Sequence, residues 1–195
     1  MKDAAKDSAS AKTSYHHGDL RQALIDEGMR LLGQREADEL SLREVARGVG
    51  VSATAVYRHF PDKGALMAAL AAEGLVLLGK AQHAAFDAAG CGVAGFNATG
   101  SAYVRFALQH TALFRLIFSN PPKGEVVKLA DVPDDPMRFL MENAAALAPP
   151  GIEPRIFALQ SWSIAHGLAM LLVDEQLHVD DATIDQVIDA HHIAK

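Results

Sequence analysis

The sequence predicts an all-α fold, and three observations carry that expectation. Apolar residues recur at helical spacing in segment after segment, and no run alternates as a half-buried strand would. Aromatic residues make up only 6% of the chain while alanine and leucine abound, a composition that favours helix. Serine, aspartate, glycine and proline stand where helices must start and stop. Half of the 195 residues are hydrophobic, enough for one medium domain or two small ones with a substantial core. There is neither a nucleotide-binding glycine loop nor an internal repeat.

Residues 1–14 are rich in Lys, Asp, Ser and Ala and are expected to form a flexible tail, with no apolar secretory signal. Tyr15-His16-His17-Gly18 leads into a helix of about Asp19–Leu32. Leu20, Leu24 and Leu31 give it a buried stripe, and Gly33 ends it. The adjacent His16 and His17 lack partners at metal-ligand spacing. Ser41 and Glu44 form a capping box for a second helix, on which Leu42, Val45 and Val49 share a face. Gly50 ends it in a left-handed turn. Ser52 caps a third helix, which Pro61 stops. Helices this short cannot stand alone, so the three must enclose a common core, with Phe60 as its plug.

The third helix carries the chemistry. Ala53, Thr54 and Ala55 are small enough for close approach to a surface, and Tyr57, Arg58, His59 and Lys63 follow. That order suits entry into a DNA major groove with flanking phosphate contacts. An ordinary helical corner with solvated charges fits the same composition. The run S-L-R-E-V-A-x-x-x-G-V-S-x-x-x-V-Y-x-H-F-x-D-K-x-x-L, from Ser41 to Leu66, resembles the helix-turn-helix of the TetR family of bacterial transcriptional regulators. The resemblance is firm over residues 16–80. It implies a helix-turn-helix DNA-binding domain at 15–62 and a helical ligand-sensing and dimerisation domain at 63–195. Ser52, Ala53, Thr54, Ala55 and Tyr57 would then face the groove, and Ser41, Arg43, Tyr57, His59 and Lys63 would take phosphates. The expected partners are double-stranded DNA with a palindromic operator, a second copy of the chain, and a small hydrophobic effector. A repressor is expected, with an activator of the same fold as the alternative.

A net charge of −6 does not count against this reading. Residues 1–63 carry 10 basic and 10 acidic side chains, whereas residues 64–195 carry 8 and 14. Ser41–Lys63 alone has 4 basic against 2 acidic, and local charge governs phosphate contact.

Asp62 should cap a long helix from Lys63 to about Ala88, with Leu66, Leu70, Leu77 and Ala81 on one face and Met67, Gly74 and Leu78 beside it. The glycine-rich stretch from Ala88 to Gly100 reads as a linker. Tyr103, Phe106, Ala107 and His110 then share a helical face, and Leu113, Phe114, Ile117 and Phe118 follow in a short helix. Ser119 to Pro136 is a loop with four prolines, and Asp135-Pro136 opens a helix to Leu147. Ile156 to Val173 is eighteen residues without a charge. Its Gln160, Ser161, Ser163 and His166 favour a helix buried on several sides over a membrane span. Asp180-Asp181 begins a last helix with the stripe Ile184, Val187, Ile188 and His191. By the resemblance, these last two helices pair across a two-fold axis into a four-helix bundle.

Trp162 with His166-Gly167 makes W-x-x-x-H-G, which resembles TetR regulators whose C-terminal domain is named for a Trp-His-Gly pattern. The effector cavity is expected to be lined by Tyr103, Phe106, His110, Phe114, Phe118, Met141, Trp162 and His166. For Trp162 and His166, simple core packing fits as well as ligand contact. Arg105 and Arg115 are the nearest cations, and no cluster of them favours a phosphorylated ligand.

The single cysteine, Cys91, excludes an intramolecular disulfide and a cysteine-based zinc site, and fits a reducing cytoplasm. Asp174 with His178, and Asp185 with Asp189 and His192, could align carboxylate and imidazole on one helical face. Neither set accompanies a metalloprotease, nucleophile-elbow or kinase motif, so a metal-dependent enzyme is the minor reading. No cofactor is expected.

Overall fold

The computed structural model describes residues 17–119 and 135–190. In chain order the helices are α1 His17–Leu32, α2 Leu42–Val49, α3 Ala53–Tyr57, α4 Lys63–Ala88, α5 Gly92–Gln109, α6 Thr111–Ser119, α7 Pro136–Leu147, α8 Pro154–Val173 and α9 Asp181–Ala190, with a 3-10 turn at Ala37–Glu39. Expectations for residues 1–14, Tyr15, His16, the prolines of 120–134, His191 and His192 fall outside the described residues.

Local signals decide most boundaries. The Ser41 hydroxyl accepts the Glu44 N–H at 3.2 Å, and Ser52 accepts that of Ala55 at 3.3 Å. Asp62 accepts the Ala65 N–H at 2.8 Å, and Asp135 accepts those of Met137 and Arg138. Gly50 adopts φ 78°, and the Val51 N–H returns to the Ala46 carbonyl, closing α2. One part of the expected capping box differs: the Glu44 carboxylate reaches Arg35 at 2.8 Å and Arg47 at 3.8 Å. Helix α3 also ends at Tyr57, four residues before Pro61, so a turn rather than the proline stops it.

The expected linker is a helix. Only Gly90, Cys91 and Gly92 make a turn, at φ 83°, 64° and 59°, and α5 begins at once. The later glycines serve close packing. A Cβ on Gly95 would lie 2.7 Å from the Phe86 ring, and one on Gly100 would lie 2.9 Å from Ile188.

Helices α1–α3 close over Leu24, Val45, Val56 and Phe60, all essentially inaccessible to solvent. Helix α4 lays Leu66 and Leu70 against this core, Leu70 fitting over Gly28. Its C-terminal half packs on α5, and at Gly74 it meets Leu113 and Ile117 of α6. One continuous apolar cluster thus runs from Leu24 to Ile188, while Phe96, Ala144, Phe157 and Ala158 form a second between α5, α7 and α8.

Helices α4 and α8 are long and apolar enough to cross a membrane by length and composition. Helix α8 differs from expectation: it buries Phe157, Ala165, Leu168, Ala169 and Leu172 on one side only. Ile156, Leu159 and Leu171 on the other side are each more than 40% exposed. Within α9, Ile184 and Ile188 face inward and, of the described residues of the expected stripe, only Val187 is open, because Gly100 draws Ile188 against α5.

Candidate functional site

The sequence-predicted reading residues belong to α2, α3, their caps and the start of α4. Ser41, Arg43, Ser52, Thr54 and Tyr57 are exposed, Tyr57 to 48%, and Ala53, Ala55 and His59 are partly covered. Val56 of the same helix is fully buried, so α3 is fixed by one side chain and presents the rest outward. Five residues cannot form a free helix; Ser52 and Val56 hold this one in place. Lys63 is half-buried at the start of α4, and its ammonium donates to the Asp38 carbonyl of the 3-10 turn.

The second candidate site gathers around Tyr103 of α5. Its hydroxyl lies 2.8 Å from His166 Nδ1 on α8 and accepts the Trp162 indole N–H at 3.4 Å. The indole N–H and the phenol O–H are both used when Trp162 donates to Tyr103 and Tyr103 donates to His166. That order makes Nδ1 an acceptor and leaves the imidazole proton on Nε2. Burial holds His166 below its ordinary pKa, which favours this neutral ring, and burial also pushes the Tyr103 hydroxyl up. Phe114 and Phe118 of α6 close the cluster, with ring centroids 5.8 and 4.8 Å from that of His166.

Three expected lining residues do not join this cluster. His110 is exposed at the end of α5 and stacks on Phe106 at 4.8 Å, so these two form their own pair. Met141 of α7 packs against the separate cluster of Phe96 and Phe157. Periodicity gave the inward face of Phe106 but not its neighbour, and it failed for His110, which lies just past the end of α5 and is exposed. Gln82 of α4 was missed. Its Nε2 donates to the Thr99 carbonyl, one turn before Tyr103, and its buried Oε1 has no partner among the described residues. A glutamine on an otherwise apolar helical face is the signal that marks it.

One carboxylate from each set weighed for catalysis, Asp185 and Asp174, is engaged in an ion pair. Asp185 and Asp181 hold Arg105 at 3.0 and 2.7 Å, and the Arg105 guanidinium keeps the Asp185 carboxyl below its usual range. Asp174 pairs with Arg115 at 2.9 Å. Among the described residues no three His, Cys, Asp or Glu side chains gather around a metal position.

Two family models match the chain. Residues 24–70 match "Bacterial regulatory proteins, tetR family", and residues 96–192 match "Tetracyclin repressor-like, C-terminal domain". The Trp-His-Gly branch rests on Trp162 and His166-Gly167 alone. The class D tetracycline repressor of Escherichia coli is 27% identical over 135 residues, 65% of this chain and 56% of that protein. The chain spans about half the length of the curated relatives it matches. A solved protein of unknown function from Rhodococcus sp. RHA1 is 31% identical and superposes with a TM-score of 0.75 over 92% of this chain and 94% of its own. A tetR-family regulator from Streptomyces coelicolor shares the fold at 22% identity, with a TM-score of 0.65 over 89% of this chain and 79% of its own. With both halves matched in the order in which the fold sets them, the chain belongs to the TetR family of transcriptional regulators.

Proposed function

We propose that this chain is a homodimeric, cytoplasmic repressor that binds a palindromic operator and releases it when a small, largely hydrophobic molecule enters the Tyr103–His166 cluster. The proton-ordered chain from Trp162 through Tyr103 to His166, set among phenylalanines, supports this most. His166 Nε2–H offers a donor and Gln82 Oε1 an acceptor, one helical turn along α5 from each other's neighbours. The effector therefore has a flat apolar body, an acceptor oxygen and a donor group. A phosphorylated metabolite is disfavoured, because Arg105 and Arg115 are already held by carboxylates. Similarity to the tetracycline repressor supports repression over activation.

The proposed division is a tail at 1–14, a reading domain at 15–62 and a sensing domain at 63–195. Ser52, Ala53, Thr54, Ala55 and Tyr57 meet the groove, while Ser41, Arg43, Tyr57, His59 and Lys63 take phosphates. The alanines offer only apolar contact with a thymine methyl, so DNA shape carries part of the specificity. Two copies joined through Ile156, Leu159, Leu171 and Val187 would place their reading helices roughly 34–36 Å apart, one turn of DNA.

The test is a thermal-shift screen of neutral aromatic and charged compounds. Each hit is then assayed for release of an operator selected from randomised duplexes. Neutral aromatics should bind and release DNA, and His166→Ala with Gln82→Leu should abolish both effects. If charged compounds alone bind, or hits leave DNA affinity unchanged, this reading is wrong.

A further inference from the structure

Apart from α4, the reading domain touches the rest of the chain chiefly through α6, which packs on α1 and on the Ala37–Glu39 turn. On α6, Arg115 makes three directed bonds. Its Nη2 donates to Asp174 Oδ1 at 2.9 Å and to the Val173 carbonyl at 3.2 Å, and its Nη1 donates to Glu36 Oε1 at 3.4 Å. Glu36 opens the turn between α1 and α2, while Val173 and Asp174 close α8. A single planar guanidinium, whose donors sit at fixed angles, therefore joins the reading domain to the end of α8.

The junction lies at the surface. An open cavity of about 320 Å³ lies between Glu36–Asp38 and the α6 residues Ala112, Leu116 and Ser119. The continuous core through α4 and α6 sets the approximate angle between the two parts, and the directional bonds of Arg115 add a constraint beside the open concavity. Lys63 anchors the far end of the same turn to α4 through the Asp38 carbonyl. The turn is thus held at both ends, and only the Arg115 end leads to α8.

We infer that Arg115 is a positioning residue for DNA binding: it holds the reading domain at a fixed angle to α8 and so sets the separation of the two reading helices. The inference rests on the dimeric reading above. Arg115 need touch no DNA. Exposed ion pairs add little to stability, so its loss registers in geometry rather than in unfolding.

The experiment uses the full chain carrying Cys91→Ser, with spin labels on Arg47→Cys of α2 and Glu142→Cys of α7. Labelled chains are diluted with unlabelled ones so that the distance is read within one chain, in monomer and dimer alike. A failure to dimerise is thereby separated from a failure of Arg115. Arg115→Gln and Glu36→Gln should each broaden the distance distribution while the denaturation midpoint stays that of the parent. On operators selected from randomised duplexes, both should lose on the order of tenfold in affinity at the parental half-site spacing. They should also level the preference over spacings altered by one base pair, with the salt slope unchanged. An unaltered distribution and spacing preference overturn the inference. So does a salt slope reduced by about one, which makes Arg115 a phosphate contact instead.

Discussion

Tyr103→Phe isolates the proton chain at the sensing site. The substitution removes one oxygen and leaves the ring where it is, 5.5 Å from Phe114 and 4% exposed, so no cavity opens. What goes is the 2.8 Å bond to His166 and the 3.4 Å bond from Trp162. A neutral hydrogen bond contributes about 1 kcal/mol net, and the longer one less than that. His166 and Trp162 are only half-buried, so water can replace part of the loss. The expected destabilisation is about 1–2 kcal/mol. A pH effect accompanies it. Burial sets the folded His166 pKa below its unfolded value of 6.5, so the unfolded chain takes up the proton first on acidification. His166 thus contributes stability that is present above pH 6.5 and lost as pH falls through that value toward the folded pKa. Donation by Tyr103 to Nδ1 favours the neutral ring in the same direction, so phenylalanine raises the folded pKa and shrinks that loss. Urea titrations followed by fluorescence of Trp162, the single tryptophan, read both effects at about pH 7.5 and about pH 5.5. The variant should be less stable at the higher pH, and the gap should narrow at the lower. Equal stability at both, or a gap that widens on acidification, refutes the proton order.

Ser52→Ala removes the side-chain cap of a five-residue helix and should cost about 1 kcal/mol, seen as faster hydrogen exchange in α3 and weaker operator binding with effector binding unchanged. Leu171→Asp, on the open face of α8, should yield a folded monomer by sedimentation and helical circular dichroism. Ile188→Asp, buried on Gly100, should instead unfold the chain. In Gly74→Ala the new Cβ would lie 2.8 Å from Leu113 and 2.9 Å from Ile117. Overpacking of roughly 1–3 kcal/mol outweighs a helix-propensity gain of about 1, so the denaturation midpoint should fall.

The reading domain was legible because its signals are local. Ser41, Ser52 and Asp62 cap helices with their own side chains, and Gly50 closes one with its own backbone. Glycine between α4 and α5 was misleading because flexibility and close approach leave the same letter. Gly90 and Gly92 turn the chain, whereas Gly95 and Gly100 admit Phe86 and Ile188 from distant positions. Around Tyr103, periodicity placed Tyr103 and Phe114 on inward faces, while Trp162 and His166 were marked by the Trp-x-x-x-His-Gly pattern. Periodicity could not tell that Met141 faces a different cluster, since that depends on how far α7 lies along α8. Glu36, Arg115 and Asp174 lie in three separate segments, and only the fold brings them within bonding distance.

The uninterrupted α4 limits how such a protein can be recombined. A chimaera spliced at the apparent boundary after Asp62 would set Leu66 and Leu70 of one parent against α1 of the other, where Leu70 must fit over Gly28. A splice beyond Gly74 would carry the reading parent's surface into contact with a foreign Leu113 and Ile117. The crossover that keeps the contacts of α4 native on both sides lies between Leu70 and Gly74, a single turn of helix. Exchange of sensors between relatives of this architecture is therefore confined to that turn.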